Sequence, residues 1–260
     1  MSSEAGTMTA SADPSSADRF ADQLDALLAT HWPLGRGRIV GPSGGPGGQN
    51  LQTLLADRDV DRLLMRFHAA QGSQDLRATA SVWSQWYLAT TWPVLIGATL
   101  LFDELPPLGV DAVALVTDAE GCPAGLEVRG PTRRAPVEHR LDELVFAQAA
   151  PLLEAVMRAS RLPKGVPWSN AATVLNWTLE QLADKLPPAQ LAPVRALFDT
   201  RDGLNGGPNP LAVAMRETPQ GQVRSSCCLR YKLSGFPYCG NCPIPAERRD
   251  SRFMPDDTTT

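Results

Sequence analysis

Cysteine is scarce in this sequence, with five in 260 residues, and long apolar runs are missing. The longest apolar stretch, Pro93 to Phe102, is shorter than the roughly 18 residues that a membrane-spanning helix requires. The amino-terminal residues lack the positive and apolar regions of an export signal. The sequence therefore predicts a cytoplasmic protein that does not span a membrane.

Positive charge is not in excess either, because the formal net charge is −4 at pH 7. A nucleic-acid-binding protein usually carries a basic surface that neutralises phosphates, so this class is not expected. The cytoplasm is reducing, and disulfide frameworks are rare there. Clustered cysteines in such a protein indicate metal ligation or redox chemistry.

The length and composition predict one main domain with attachments. The chain has 260 residues and a mass of 28.0 kDa, with 43% hydrophobic and 20% charged residues. We divide it into a disordered tail (1–17), a main domain (18–220), a cysteine-bearing module (221–245) and a polar tail (246–260). The predicted class is α+β, in which a predominantly helical domain carries a small β-hairpin element and a C-terminal cysteine-rich module.

Apolar spacing predicts most of the helices. They are a helix from Phe20 that ends near Pro33, an amphipathic helix from Leu51 to Gln71, an aromatic-rich helix after Ser73 that Pro93 kinks or restarts, and three later helices within 141–156, 174–182 and 189–198. The interval 112–137 contains two short apolar stretches around a turn, which predicts a hairpin.

The segment from Gly35 to Asn50 is rich in glycine and could suggest a phosphate-binding loop. It lacks the Gly-Lys-Ser/Thr ending and the strand–glycine–helix context of such loops. We interpret it as a flexible loop.

Four of the five cysteines lie close together as Cys227, Cys228, Cys239 and Cys242, in the pattern C-C-x10-C-x2-C. Four thiolates are enough to hold either one tetrahedral zinc ion or an iron–sulfur cluster. Zinc sites usually take thiols in pairs separated by about two to four residues, whereas adjacent residues of an extended chain point to opposite sides. Adjacent thiols favour the wider dinuclear core, although a structural zinc knuckle stays open.

Basic residues lie near the cysteines in the sequence, namely Arg224, Arg230 and Lys232. A 2Fe–2S core held by four thiolates is an anion, and nearby cations and amide groups adjust its reduction potential. The three side chains could offset this charge, and plain solvent exposure is the alternative for each.

The stretches SSCCLRY and YCGNCP closely resemble the C-terminal signature of the FhuF family of ferric siderophore reductases. The helix sequence RATASVWSQWYL and the tripeptide WSN (Trp168 to Asn170) are similar to more diffuse features of that family. The resemblance implies a cytoplasmic protein whose cysteines Cys227, Cys228, Cys239 and Cys242 ligate a 2Fe–2S cluster. It also implies one-electron reduction of Fe(III) in an imported hydroxamate siderophore and release of Fe(II).

On this resemblance residues 18–220 form a siderophore-docking domain and residues 221–245 form the cluster-binding module. The proposed docking side chains are aromatic, because flat rings could pack on the methylene chains of a siderophore. They are Trp83, Trp86, Tyr87, Trp168 and Tyr231. Core packing is the alternative for the first four, and shielding of the cluster is the alternative for Tyr231.

The expected partners are a ferric hydroxamate siderophore and a separate electron donor. No fingerprint for NAD(P)H or flavin is present, so the donor is expected to be a ferredoxin-like protein or a flavoprotein reductase. Cys122, which stands alone in a predicted turn, is expected to be incidental. The rival hypothesis is a non-enzymatic siderophore- or partner-binding protein with a structural zinc knuckle.

Overall fold

The computed structural model describes residues 14–56, 58–202, 207–219 and 221–249. In these residues the α-helices are α1 (Ser16–His31), α2 (Leu51–Ala56), α3 (Asp59–Ala70), α4 (Leu76–Leu101), α5 (Val137–Asp142), α6 (Ala150–Ser160), α7 (Gly165–Ala183) and α8 (Pro188–Asp199). The strands are β1 (Ile39–Val40), β2 (Gln49–Asn50), β3 (Glu104–Leu105), β4 (Val113–Thr117), β5 (Pro123–Val128), β6 (Arg133–Arg134), β7 (Met215–Thr218) and β8 (Gly221–Arg224). Helices dominate and the sheets are small, which confirms the predicted α+β class.

Helix α4 is the central element of the fold. It is apolar on all sides, as expected of a helix inside a core, and it contacts α3, α6, α7 and β5. Asp75 caps its beginning by accepting a hydrogen bond of 3.0 Å from the amide of Ala78. Although α4 has 26 residues, neither it nor any other described helix is both long and apolar enough to cross a membrane.

Pro93 lies inside α4 and does not interrupt it. The sequence predicted a kink or a restart, and the restart is wrong because the helix runs on to Leu101. Proline lacks the N–H that would bond to the carbonyl four residues earlier, which here belongs to Ala89. Ala89 is exposed, so water can satisfy that carbonyl and the helix tolerates the proline.

The predicted helix from Leu51 to Gln71 is instead two helices, α2 and α3. The break lies beside Arg58, whose φ of 54° is left-handed. At about 100° per residue, the apolar residues before and after the break would face opposite sides of one continuous helix. The change of direction lets both groups reach the core, where the buried members are Leu51, Leu54, Val60, Leu63, Leu64 and Phe67.

The main sheet has the strand order β1-β5-β4-β2. Its centre is the antiparallel pair β4 and β5, in which Ala114 is paired with Glu127, and this confirms the predicted hairpin. Strand β1 runs parallel to β5, and β2 runs antiparallel to β4. The glycine-rich segment that we interpreted as a loop therefore also supplies both edge strands.

The later helices follow the predicted order. Helix α5, a π-helical segment at Glu143–Ala149 and helix α6 form one run of helical backbone. Helix α7 covers the predicted range 174–182 but begins earlier, at Gly165, so the WSN tripeptide lies near its start. Helix α8 begins at Pro188 and covers the predicted range 189–198.

The two predicted tails are only partly described. Residues 1–13 and 250–260 lie outside the described residues. Within the first tail, α1 already begins at Ser16, where Ser15 and Asp18 form a reciprocal capping box. Within the second tail, Ala246–Arg248 form a 3-10 turn, and the Arg249 guanidinium lies 5.4 Å from the ring centre of Tyr238.

Candidate metal centre

The four clustered cysteines lie on two loops that follow the β7–β8 hairpin. Cys227 and Cys228 come directly after β8, and Cys239 and Cys242 lie on a turn closed by a hydrogen bond of 3.2 Å from the Cys242 amide to the Cys239 carbonyl. The Arg224 amide at the end of β8 donates a hydrogen bond of 3.0 Å to the Asn241 carbonyl. This bond holds the two cysteine loops together.

The structure brings the four thiols together. The Sγ atoms of Cys228 and Cys239 lie 3.5 Å apart. Burial raises the pKa of Cys227, and the neighbouring Cys228 and Cys242 thiols raise it further, so these thiols also lie close to one another. Among the described residues, no three His, Cys, Asp or Glu side chains are grouped closely enough to hold one metal ion. Four thiols gathered in this way can hold a dinuclear core, in which each metal takes two thiolates.

Backbone amides point at the sulfur atoms. Leu229 has a left-handed φ of 59°, which is uncommon for a residue with a side chain. Its N–H donates to Cys227 Sγ at 3.4 Å, and the Arg230 amide comes next along the chain, close enough to help lower the pKa of Cys228 after the Cys239 thiol and Arg224. Successive amides in a left-handed and then a right-handed conformation form a concave anion site of the kind found at iron–sulfur clusters.

The pKa values of the cysteine thiols differ because their surroundings differ. The pKa of Cys228 is lowered to about 6, first by the hydrogen bond with Cys239 and then by Arg224 and Arg230. The same hydrogen bond raises the pKa of Cys239. Burial raises the pKa of Cys227 to about 11. The positive charges of Arg224 and Arg230 therefore favour the thiolate form of Cys228.

The cysteine module is attached to α4 and α7 by one buried and one partly buried hydrogen bond. Ser81 Oγ donates to the Cys228 carbonyl at 2.6 Å, and the Ser226 amide donates to Ser169 Oγ at 3.1 Å. Gly165 has no side chain at the point where Ser226 comes closest to α7, and a Cβ there would collide with the serine hydroxyl. The helical domain thus fixes the backbone on both sides of Cys227.

Asn170 and Arg224 form a second connection, which sequence reasoning did not find. Asn170 is fully buried, and its Nδ2 lies 2.9 Å from the Ser81 carbonyl and 3.1 Å from Ser84 Oγ. Its Oδ1 accepts a hydrogen bond from Arg224 Nη1. Asn170, the last residue of the WSN tripeptide, therefore joins α4, α7 and the end of β8.

Three of the five proposed docking side chains lie inside the protein. Trp83 and Tyr87 are fully buried and Trp168 is 4% exposed. The Trp83 ring stacks on the Tyr87 ring with centres 5.9 Å apart, and its Nε1 donates to the Gly121 carbonyl at 2.9 Å. These contacts favour the core-packing alternative, because rings at the centre of α4 have no face toward solvent.

Replacement of Trp83 by alanine is expected to lower the free energy of unfolding by about 3–5 kcal/mol, because it leaves a large cavity in the core. Urea denaturation followed by circular dichroism measures this loss. Trp177→Ala is the matched control, since Trp177 is 41% exposed and its loss is expected to cost much less. Equal stability of the Trp83 variant and the unchanged protein would contradict a core role.

The other two proposed docking side chains reach the surface in part. Trp86 is half-buried and lies against Phe67 and Phe236. Tyr231 is half-buried and stacks on Tyr238, with ring centres 4.6 Å apart. Sequence reasoning did not single out Tyr238, although its position directly before Cys239 was a usable signal.

Two further residues are placed away from the thiols. Lys232, which we expected near the cluster, forms an ion pair of 3.0 Å with Asp75 at the start of α4. Cys122 lies in the β4–β5 turn, and burial together with Asp118 and Glu120 raises its pKa to about 11. A thiol with a raised pKa is less reactive, and this agrees with the expectation that Cys122 is incidental.

The residues of the cysteine module fit a 2Fe–2S cluster. They supply four thiols, an amide donor to sulfur and a buried guanidinium, and Cys228, Cys239 and Cys242 are each at most 8% exposed. Together with the helical α+β domain, these features define a cysteine-ligated iron–sulfur protein.

Comparison with known proteins gives the family. The family model described as "Ferric iron reductase FhuF-like transporter" matches residues 81–223, which is more than half of the chain, and the model described as "FhuF 2Fe-2S C-terminal domain" matches residues 224–243. The chain belongs to the FhuF family, and its cofactor is a 2Fe–2S cluster. It is also 29% identical over 172 residues to the "Ferric siderophore reductase" of Escherichia coli (strain K12). That match covers 63% of this chain and 64% of the relative.

Proposed function

We propose that this chain is a cytoplasmic ferric siderophore reductase that reduces Fe(III) in a hydroxamate complex by one electron and releases Fe(II). The observation that carries the proposal is the C-C-x10-C-x2-C thiol set, gathered within the segment that the 2Fe–2S family model matches. The name of the Escherichia coli relative supports the substrate class.

A 2Fe–2S cluster, when bound, supplies single electrons at a potential that its protein surroundings set. In the proposed reaction one electron passes to Fe(III), which becomes Fe(II). An external ferredoxin-like or flavoprotein donor then supplies the next electron to the protein. Hydroxamate oxygens are hard ligands that prefer Fe(III), so the complex loosens after reduction.

The residues of this chain determine how a substrate reaches the cluster. Cys227 is half-buried, whereas the other three thiols are buried, so the Cys227 side of the module is the side open to solvent. Burial and then the neighbouring Cys227 raise the pKa of Tyr231, which places Tyr231 near that side. We propose that Tyr231, with its stacked neighbour Tyr238, forms the surface on which the organic part of the siderophore packs.

Tyr231→Ala is expected to raise the KM for a ferric hydroxamate with a smaller change in kcat, because binding contacts are lost and the thiols are kept. Steady-state kinetics and the visible spectrum of the variant check this result. If Tyr231 only shields the cluster, the KM will stay unchanged and the cluster will bleach faster in air.

A single-turnover experiment tests the proposed function. Chemically reduced protein is mixed anaerobically with a ferric trihydroxamate and a chelator that traps Fe(II). We expect one trapped Fe(II) for each cluster that is reoxidised, and the same result for Cys122→Ser. A cluster that stays reduced in the presence of the ferric complex and the chelator would reject the proposal.

A further inference from the structure

Arg224 is a buried cation at the end of β8. It is 1% exposed, and its Nε has no hydrogen-bond partner. Its Nη1 donates to the neutral amide oxygen of Asn170. Among the described residues, no aspartate or glutamate lies within the 4.0 Å ion-pair distance of Arg224. Burial of a charge is costly unless an opposite charge is close.

The anionic groups near Arg224 are the cluster thiolates of the cysteine module. Asn170, which accepts the hydrogen bond from the guanidinium, also donates to Ser81 Oγ at 3.2 Å, and Ser81 Oγ in turn donates to the Cys228 carbonyl at 2.6 Å. The backbone amide of Arg224 donates to the Asn241 carbonyl within the C-x2-C turn. The guanidinium is therefore held beside the thiols by its main chain on one side and by Asn170 on the other.

The two other basic residues near the cysteines are placed differently. Lys232 is 41% exposed at its side chain and paired with Asp75, so its charge is already compensated. Arg230 is only half-buried, and its guanidinium lies over the Phe236 ring at 5.3 Å from the ring centre. Of the three, Arg224 is the one whose charge is both shielded from water and uncompensated by a carboxylate.

We propose that Arg224 is the internal counter-charge of the 2Fe–2S cluster and that it raises the cluster's reduction potential. Reduction adds a negative charge, so a nearby cation stabilises the reduced form more than the oxidised form. Burial preserves the effect, because the low local dielectric screens the interaction less than water does. Arg224 acts through the cluster and touches no substrate, so the proposal rests on the cofactor and is independent of the proposed reductase reaction.

Redox titration of the purified, cluster-loaded protein tests this role. For Arg224→Gln we expect the equilibrium constant for reduction to fall at least tenfold, which corresponds to about 59 mV for a one-electron couple. Arg224→Lys keeps the charge, although not the planar geometry. Its equilibrium constant for reduction is expected to change less than tenfold. Arg230→Gln is the matched control, and its shift is expected to be smaller than that of Arg224→Gln because water screens the Arg230 charge.

A loaded Arg224→Gln variant with the unchanged midpoint potential would overturn the proposal. Equal shifts in the glutamine and lysine variants would also overturn it, because they would indicate a loss of structure rather than of charge. If Arg224→Gln holds no cluster, the cluster content of the Arg224 variants provides the second test. Arg224→Lys is then expected to keep the cluster because it keeps the charge, and loss of the cluster from both variants would reject the counter-charge role.

Discussion

Replacement of Cys228 by serine is expected to remove nearly all of the 2Fe–2S cluster while the helical domain stays folded. A serine hydroxyl is a poor substitute for a thiolate, and Cys228 is 2% exposed in the pair with Cys239. The domain should survive, because Cys228, Cys239 and Cys242 form a small buried group separate from the main core. The Ser81 hydrogen bond also survives, since it goes to the backbone carbonyl of residue 228.

Visible absorption, iron and acid-labile sulfide measure the cluster, and far-ultraviolet circular dichroism measures the helices. Cys122→Ser is the matched control, because it removes a thiol of the same kind in the β4–β5 turn, and its cluster content is expected to be unchanged. A full cluster in Cys228→Ser would contradict the ligand assignment. Loss of helix in that variant would show instead that the cysteine module is needed for the domain to fold.

Replacement of Asn170 by alanine is expected to destabilise both the fold and the attachment of the cysteine module. The change leaves the buried Arg224 guanidinium without its acceptor, whereas the Ser81 carbonyl loses the Asn170 donor but keeps the hydrogen bond from Ser84 Oγ. Each buried polar group left unpaired costs about 1–3 kcal/mol, and more when the group is charged. We therefore expect a lower midpoint in urea denaturation and faster loss of visible absorption when a chelator is added.

Asn176→Ala is the matched control for this prediction, because Asn176 is on the same helix and carries the same amide. It is half-buried and bonds to Gln222 and Glu180 near the surface. Its loss is expected to change stability by about 0.5 kcal/mol or less. Equal stability losses in the two variants would contradict a special role for the buried Asn170.

The sequence predicted those features that depend on neighbouring residues. The four cysteines lie between 227 and 242, so their spacing alone indicated a metal or cluster site. The β4–β5 hairpin is also local, and its two apolar stretches flank one turn. Cofactor and hairpin could be predicted because the contacts that define them span few residues.

The break between α2 and α3 was also present in the sequence, although we predicted one helix. Leu55 and Val60 are five residues apart, whereas one helix face repeats after about three or four. That extra spacing moves the second apolar group to the opposite side, and only a break returns it to the core. A count of the helical phase would have located the break near Arg58.

The burial of Trp83 and Tyr87 and the role of Asn170 depend on contacts between distant parts of the chain. Asn170 bonds to Ser81 and Arg224, which are 89 and 54 residues away. The spacing of residues along one helix gives no information about such long-range contacts. The apolar character of α4 on all its sides was the one usable signal, since such a helix is normally surrounded by other elements.

The most direct test is metal and sulfide analysis of protein purified without oxygen, combined with electron paramagnetic resonance after reduction. We expect iron and acid-labile sulfide in equal amounts, no zinc, a spectrum that bleaches with dithionite and a paramagnetic reduced state. Stoichiometric zinc, no labile sulfide and no resonance signal would contradict the assignment of the four thiols to a redox cluster.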